Sequence, residues 1–255
     1  MSIFSDYAKY YDLLNQGKDY SKEVDYIDSI IKQYKPSSKS ILDLGCGTGM
    51  HAIHFAKRGY NIHGIDQSGD MISIANDQIK SNSKYSNNLE FSVGDIRNYS
   101  LRKSFDVVLA LFHVMSYQVT DEDLINSISN VAKHTSSGSL FIFDCWYGPA
   151  VLVDKPYKRT RTFEDEDLLV ERIANPEMHQ SKNTVDVNFD ISIHDKQSNE
   201  KHSFSELHKM RYLFEPEMKQ LLSSHSFEII KSEEWISGRN PDNNTWYVTF
   251  ICRKL

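Results

Sequence analysis

Three glycines in five residues, Gly45, Gly47 and Gly49, follow directly on an apolar run in "SILDLGCGTGMHA". Backbone without side chains, at the end of a strand and the start of a helix, lets amide N–H groups and a ligand approach closely. Two spacings fit the same loop. "GTGMHA" offers the G-x-G-x-x-G/A pattern of a dinucleotide site through Gly47, Gly49 and Ala52, and "DLGCGTG" offers G-x-G-x-G after Asp43. Glycines alone do not choose between them. Asp66 comes 17 residues after Gly49, where a carboxylate can accept both hydroxyls of a ribose. That suits either kind of site. Asp95 in "FSVGDI" closes another apolar run, where an acid can meet an adenine amino group while Ile96 packs on the ring.

These residues need a scaffold of alternating elements. "SILDLG", "YNIHGID", "LEFSVGD", "FDVVLAL" and "SLFIFDCW" read as short buried strands. Between them, "MHAIHFAKRG" and "SGDMISIANDQIK" read as helices, the second capped by Ser68 or Asp70, and a further helix falls near Asp121–Lys133. Such alternation predicts a parallel sheet with helices on both faces. The tyrosine-rich stretch Asp6–Tyr34 has helical spacing and ends at Pro36. After Pro156 the period changes to two: in "VDVNFDISI", Val185, Val187, Phe189, Ile191 and Ile193 share one face. This predicts an antiparallel insertion with one dry face. A helix beginning near Pro216 and a terminal antiparallel pair, "EIIKSEEWI" and "TWYVTFICRK", follow. The boundaries read as a helical lid over 1–36, a core over 37–155 and 213–255, and the β insertion over 156–212.

With 255 residues, 29 basic and 35 acidic, the net charge is −6. A nucleic-acid polymer as main partner would select for a basic excess. No apolar run reaches the ~18 residues that span a bilayer, and no secretory signal is evident, so a cytoplasmic location is expected. The three cysteines are far apart and read as free thiols, and no metal site is expected. Lys158, Arg159 and Arg161 form a small basic cluster that reads as a solvated face, as such runs ordinarily are.

Taken together, "LDLGCGTG", "GIDQS", "VGDIRNY" and "FDVVLALFHVMSY" resemble, in order, the motifs of the class I methyltransferases that use S-adenosylmethionine. The resemblance spans about Ser38–Trp146. It implies an α/β, Rossmann-like seven-stranded sheet whose last strand is antiparallel, and S-adenosyl-L-methionine as cofactor. It answers the glycines: methionine and ribose lie against that turn. The cofactor contacts it implies are Gly45, Gly47 and Gly49 in the loop; Asp66, Gln67 and Met71 after the second strand; Asp95 and Ile96 after the third; and Leu111 and Tyr20 around them.

The flanks narrow the family. "YAKYYDLLNQGKDYSKE", "DCWYGP", "HSFSELHKMRYLF" and "SGR" are similar to segments of the sugar N,N-dimethyltransferases of macrolide deoxysugar pathways. By that resemblance Tyr11 and Tyr117 face the substrate and Arg239 reaches its phosphates. His113 and Met115 stand where the family has small residues, and "SGRNPDNNTW" is longer than the family turn. Methyl transfer to an amine needs no base before attack, whereas a hydroxyl does. His113, Tyr117 and Tyr11 are the candidate proton acceptors, and imidazole is the group that titrates nearest neutrality. Trp146 and Tyr147, after the fifth strand, join Tyr11, His113 and Arg239 as expected substrate contacts. The expected activity is N-methylation of a small, phosphate-bearing amine such as a nucleotide-linked amino sugar. O-methylation of a comparable small molecule, cofactor sensing without turnover, and NAD-dependent dehydrogenation are the alternatives. A homodimer is possible.

Overall fold

Branched apolar residues in short runs, separated by polar and glycine-rich turns, form the strands. The computed structural model describes residues 10, 11, 13–81 and 83–255. In chain order the elements are α1 (Tyr20–Tyr34), β1 (Ser40–Leu44), α2 (Met50–Lys57), β2 (Asn61–Asp66), α3 (Gly69–Ser81), β3 (Leu89–Val93), β4 (Phe105–Ala110), α4 (Asp121–Lys133) and β5 (Thr135–Tyr147). They continue with α5 (Gly148–Val153), β6 (Arg159–Glu164), β7 (Leu168–His179), β8 (Thr184–Asp195), β9 (Lys201–Leu213), α6 (Glu215–Ser224), β10 (Phe227–Glu234) and β11 (Tyr247–Lys254).

β3, β2, β1, β4 and β5 pair in that order, all parallel. β11 runs antiparallel along the free edge of β5, and β10 pairs antiparallel with β11. This is the seven-stranded sheet with a reversed strand that the motifs implied. Alternation along the strands feeds two apolar layers. Ile41, Val107, Leu109 and Ile142 pack with α1 and α2 on one face. Leu42, Leu44, Val108, Phe141, Phe143 and Phe250 pack with α4 and α6 on the other. α4 is capped by the Thr120 hydroxyl, which accepts from Asp123 N at 3.0 Å, and its first turn carries three acids that suit the helix dipole.

β6, β7, β8 and β9 form a second, fully antiparallel sheet. Its seam with the first is short: β9 pairs with β5 only at Trp146↔Tyr212 and Tyr147↔Leu213. Val185, Ile191 and Ile193 are buried on one face of β8, as the period of two predicts. Leu14, Tyr10 and Tyr11 pack against that sheet and against Met71 of α3. The helical reading of Asp6–Tyr34 holds for α1, but Gly17 and Lys18 sit in a turn before it. Tyr7, one of the tyrosines of that reading, lies outside the described residues.

Candidate active site

The carboxyl ends of β1 to β5 and the inner face of β6–β9 enclose a cavity of about 1170 Å³. This is large for a single small ligand. Gly45 and Gly47 line it; Gly49 does not. All three have positive φ, but only one owes its lack of a side chain to the cavity. A Cβ on Gly45 would stand 2.5 Å from Val114, and one on Gly49 would stand 2.7 Å from Phe91. Protein packing excludes both. A Cβ on Gly47 would meet only Tyr11, at 4.0 Å. The expectation of three ligand-contacting glycines is therefore corrected: Gly49 is the left-handed N-cap of α2, turned toward Phe91 and Ala75.

Asp66 Oδ2 accepts from Gly47 N and Oδ1 from Ser68 N, both at 2.9 Å. The carboxylate thus braces the loop and still has lone pairs for a ligand on the cavity side. Burial raises its pKa, and these two N–H groups pull it back. Beneath it, Asp43 is buried, and its Oδ2 has no hydrogen-bond partner among the described residues. Burial, and then the charge of Asp66, pushes Asp43 up to about 7, while Lys18 opposes the rise.

Tyr11, Tyr20, Gln67, Met71, Ile96 and Leu111 all lie on the cavity wall. Asp95 does too, but Arg97 holds it: Nε lies 2.9 Å and 3.0 Å from its two oxygens, and Nη1 of the same guanidinium reaches Asp123 at 2.7 Å. That bond to Arg97 keeps Asp95 below the usual carboxylate range. His51, which has no partner of metal spacing in the sequence, also lines the cavity and is bonded through Nε2 to Glu23 at 2.7 Å.

After β4 the backbone turns through two consecutive left-handed residues, Phe112 and His113, each with φ of 66°. Neither is glycine, and such positions cost of order 1–3 kcal/mol each. Asp144 of β5 holds the turn: Oδ1 accepts from Phe112 N at 2.6 Å and Oδ2 from His113 N at 3.1 Å. His113 Nδ1 lies 2.5 Å from the same Oδ2. Nδ1 faces that oxygen without the alignment of a hydrogen bond. A carboxylate only accepts, so it favours a proton on Nδ1 and leaves the lone pair on Nε2. The His113 ring stacks on Tyr247, with centroids 4.4 Å apart. Burial would raise Asp144, but His113 and Lys18 more than offset it and its pKa is lowered. Lys18 Nζ sits 3.3 Å from the Phe112 ring centroid and 3.3 Å from Glu23 Oε2. Burial depresses the pKa of this ammonium despite Glu23.

Further along the turn after β4, the Tyr117 hydroxyl lies 2.8 Å from His208 Nδ1 on the opposite wall, and His208 Nε2 lies 3.0 Å from Glu206 Oε2. All three line the cavity, as does Trp146, whose ring meets Trp246 edge-on. Two expected substrate contacts are corrected. Tyr147 follows Trp146 on a strand, so it points the other way and packs against the α4/α6 layer. Arg239 is exposed and off the cavity wall, with Nε bonded to Glu234 Oε2 at 2.8 Å. The turn that carries it does reach the carboxyl edge, but the side chains it delivers to the cavity are Trp246 and Tyr247.

Asp144, Lys18, Tyr247, His208 and Glu206 were not anticipated. The one available signal was Asp144, an acid in the otherwise apolar "FIFDCW".

A parallel sheet with one reversed strand, a glycine turn after β1 and acids after β2 and β3 define a class I methyltransferase. Residues 41–138 match the family model of a methyltransferase domain. This chain is an S-adenosylmethionine-dependent methyltransferase that resembles the deoxysugar N,N-dimethyltransferases. It is 25% identical over 236 residues to dTDP-3-amino-3,4,6-trideoxy-alpha-D-glucopyranose N,N-dimethyltransferase of Streptomyces venezuelae, covering 92% of this chain and 95% of that one. In fold it is similar to an S-adenosylmethionine-dependent methyltransferase from Clostridium acetobutylicum, with a TM-score of 0.81, 21% identity and 98% of each chain covered. It is equally similar in fold to DesVI of Streptomyces venezuelae, with a TM-score of 0.81, 22% identity and 98% of each chain covered.

Proposed function

We propose that this enzyme methylates the nitrogen of a small amine, an amino sugar or similar metabolite that carries a phosphate or a nucleotide diphosphate. The observation that supports it most is one cavity with two different walls: the glycine turn with its acids on one side, and the inner face of β6–β9 on the other. Relatives of this chain are named as N,N-dimethyltransferases of dTDP-linked amino sugars.

The residues present fit the cofactor. The backbone at Gly47 leaves room that a Cβ would fill, and the buried, unpartnered Asp43 Oδ2 asks for a positive group. S-adenosylmethionine carries an ammonium, a carboxylate and a sulfonium. Asp66 would hold its ribose and Ile96 and Asp95 its adenine, and the charge of Asp43, buried behind the glycine loop, would favour its ammonium. When bound, it supplies an electrophilic methyl group. His113, oriented by Asp144, offers Nε2 to the proton that a methylated amine must lose. Tyr117, backed by His208 and Glu206, faces the acceptor. Tyr11, Tyr20 and Leu14 close over the loop and exclude water.

O-methylation is the second reading, favoured by the two histidine–carboxylate pairs, since a hydroxyl must give up its proton as it attacks. A matched pair of acceptors tests both: a nucleotide-linked amino sugar and its hydroxyl counterpart, with S-adenosylhomocysteine release and product mass as readouts. One or two added methyl groups on the amine alone are expected. Turnover of the hydroxyl compound alone would replace this reading with the second, and turnover of neither would remove both.

A further inference from the structure

The inner face of the second sheet has a corner rich in arginine. Arg159 and Arg161 lie two residues apart on β6 and so share a face. Arg172 of β7 is in direct register with Arg161. All three line the cavity, whereas Lys158, of opposite parity, does not. No carboxylate pairs with Arg159 or Arg161 among the described residues. Two acids of the cavity wall are engaged elsewhere: Glu206 by His208, and Asp154 by Trp246 Nε1 at 3.0 Å. Aromatic faces flank two of the guanidinium groups, with Arg159 over Tyr157 and Arg172 over Phe163 and Phe189. This positive corner belongs to a chain of net charge −6.

The corner lies within electrostatic reach of the transfer site. Burial pushes the Tyr247 hydroxyl up, and Arg161 and Arg159 oppose that shift. Tyr247 is the ring stacked on His113.

We propose that Arg159 and Arg161, with Arg172 beside them, form the anion-binding end of the acceptor site, and that they take the acceptor's phosphate or diphosphate. The assignment rests on the methyltransferase reading above and moves the phosphate anchor from Arg239 to the second sheet. Guanidinium groups grip phosphate oxygens through paired N–H donors, which ammonium groups cannot do.

Calorimetric titration of the full chain with inorganic pyrophosphate, in the presence of S-adenosylhomocysteine, tests it. Wild type should bind, and the double variant Arg159→Ala/Arg161→Ala should bind at least about tenfold more weakly. Lysine at both positions should restore only part of the affinity. Arg239→Ala should bind as wild type does. Unchanged affinity for S-adenosylhomocysteine shows that the variants are folded. A parallel titration with inorganic phosphate separates a single phosphate from a diphosphate by which binds more tightly. Wild type that ignores both anions, or a double variant that matches wild type, overturns the proposal. The titration needs no turnover, so its outcome is separable from that of the function. A protein that holds pyrophosphate through these arginines but methylates no amine keeps the site and loses the activity. An active enzyme whose double variant binds pyrophosphate normally loses the site alone.

Discussion

The two walls of the cavity are built differently. The wall at the end of the parallel sheet comes from short turns: Gly45–Gly49 after β1, Asp66–Ser68 after β2 and Phe112–His113 after β4. Their backbone is pinned by nearby carboxylates, Asp66 on Gly47 and Asp144 on Phe112. The wall on β6–β9 is a sheet face whose polar side chains include three arginines, His208, Glu206, Ser205 and Lys209. A ligand common to many reactions can be held by fixed backbone, whereas a particular acceptor must be read by side chains that can be exchanged.

The sharpest break in this comparison comes from one substitution at two glycines. Gly47→Val should lower affinity for S-adenosylhomocysteine by about 100-fold or more, because its Cβ meets only Tyr11 and the space a ligand needs, while the positive φ of 54° lowers Tm without unfolding the protein. Gly45→Val should instead fail to fold, since its Cβ falls on Val114. Calorimetry and thermal unfolding of the pair check both; a Gly47→Val protein that binds normally would show that the loop does not touch the ligand.

Asp144→Asn comes next. It fills the same space but accepts through one oxygen only, so it must give up either a backbone N–H of the Phe112–His113 turn or the contact with His113 Nδ1, and kcat should fall about 100-fold. Rates that match wild type would reduce His113 to a packing residue. Asp66→Ala should weaken cofactor binding by about 1.5–3 kcal/mol, the value of a charge-assisted bond, and leave acceptor KM nearly constant.

The smallest effect concerns pH. Asp43 is raised in the folded protein from 3.8 to about 7. Its contribution to stability is therefore present below about pH 4 and is lost as pH rises through about 7. The free enzyme should lose Tm across that window, and Asp43→Asn should flatten the loss. Cofactor affinity should rise over the same range, because a cation favours the ionised acid. A free enzyme whose Tm is insensitive to the substitution would show that Asp43 stays ionised.

The first wall was legible in the sequence because each of its parts is local. "LDLGCGTG" carries strand, turn and helix start in one stretch, and Asp66 and Asp95 mark strand ends. The second wall was not, because Tyr117, on the turn after β4, and His208, on β9, are 91 residues apart and meet only where that turn packs against β9. Direction was harder than position. Placing the "SGR" turn at the carboxyl edge was sound, but where a turn lies does not say where its side chains point, and Arg239 turned outward to Glu234. Trp146 and Tyr147 were taken together although neighbours on a strand cannot share a face. Arg159 and Arg161 were read as a surface run because Arg172, opposite them, is separated by a hairpin.

Because β6–β8 present alternate residues to the cavity, variation on these strands is sorted into two independent alphabets. Arg159, Arg161, Arg172 and Phe189 line the cavity, while Thr160 and Asp190 do not. If this sheet reads the acceptor as proposed, a library confined to the inward letters should change the acceptor and spare the cofactor. The same parity gives drift an outlet, since half of each strand can change sequence while its chemistry stands still.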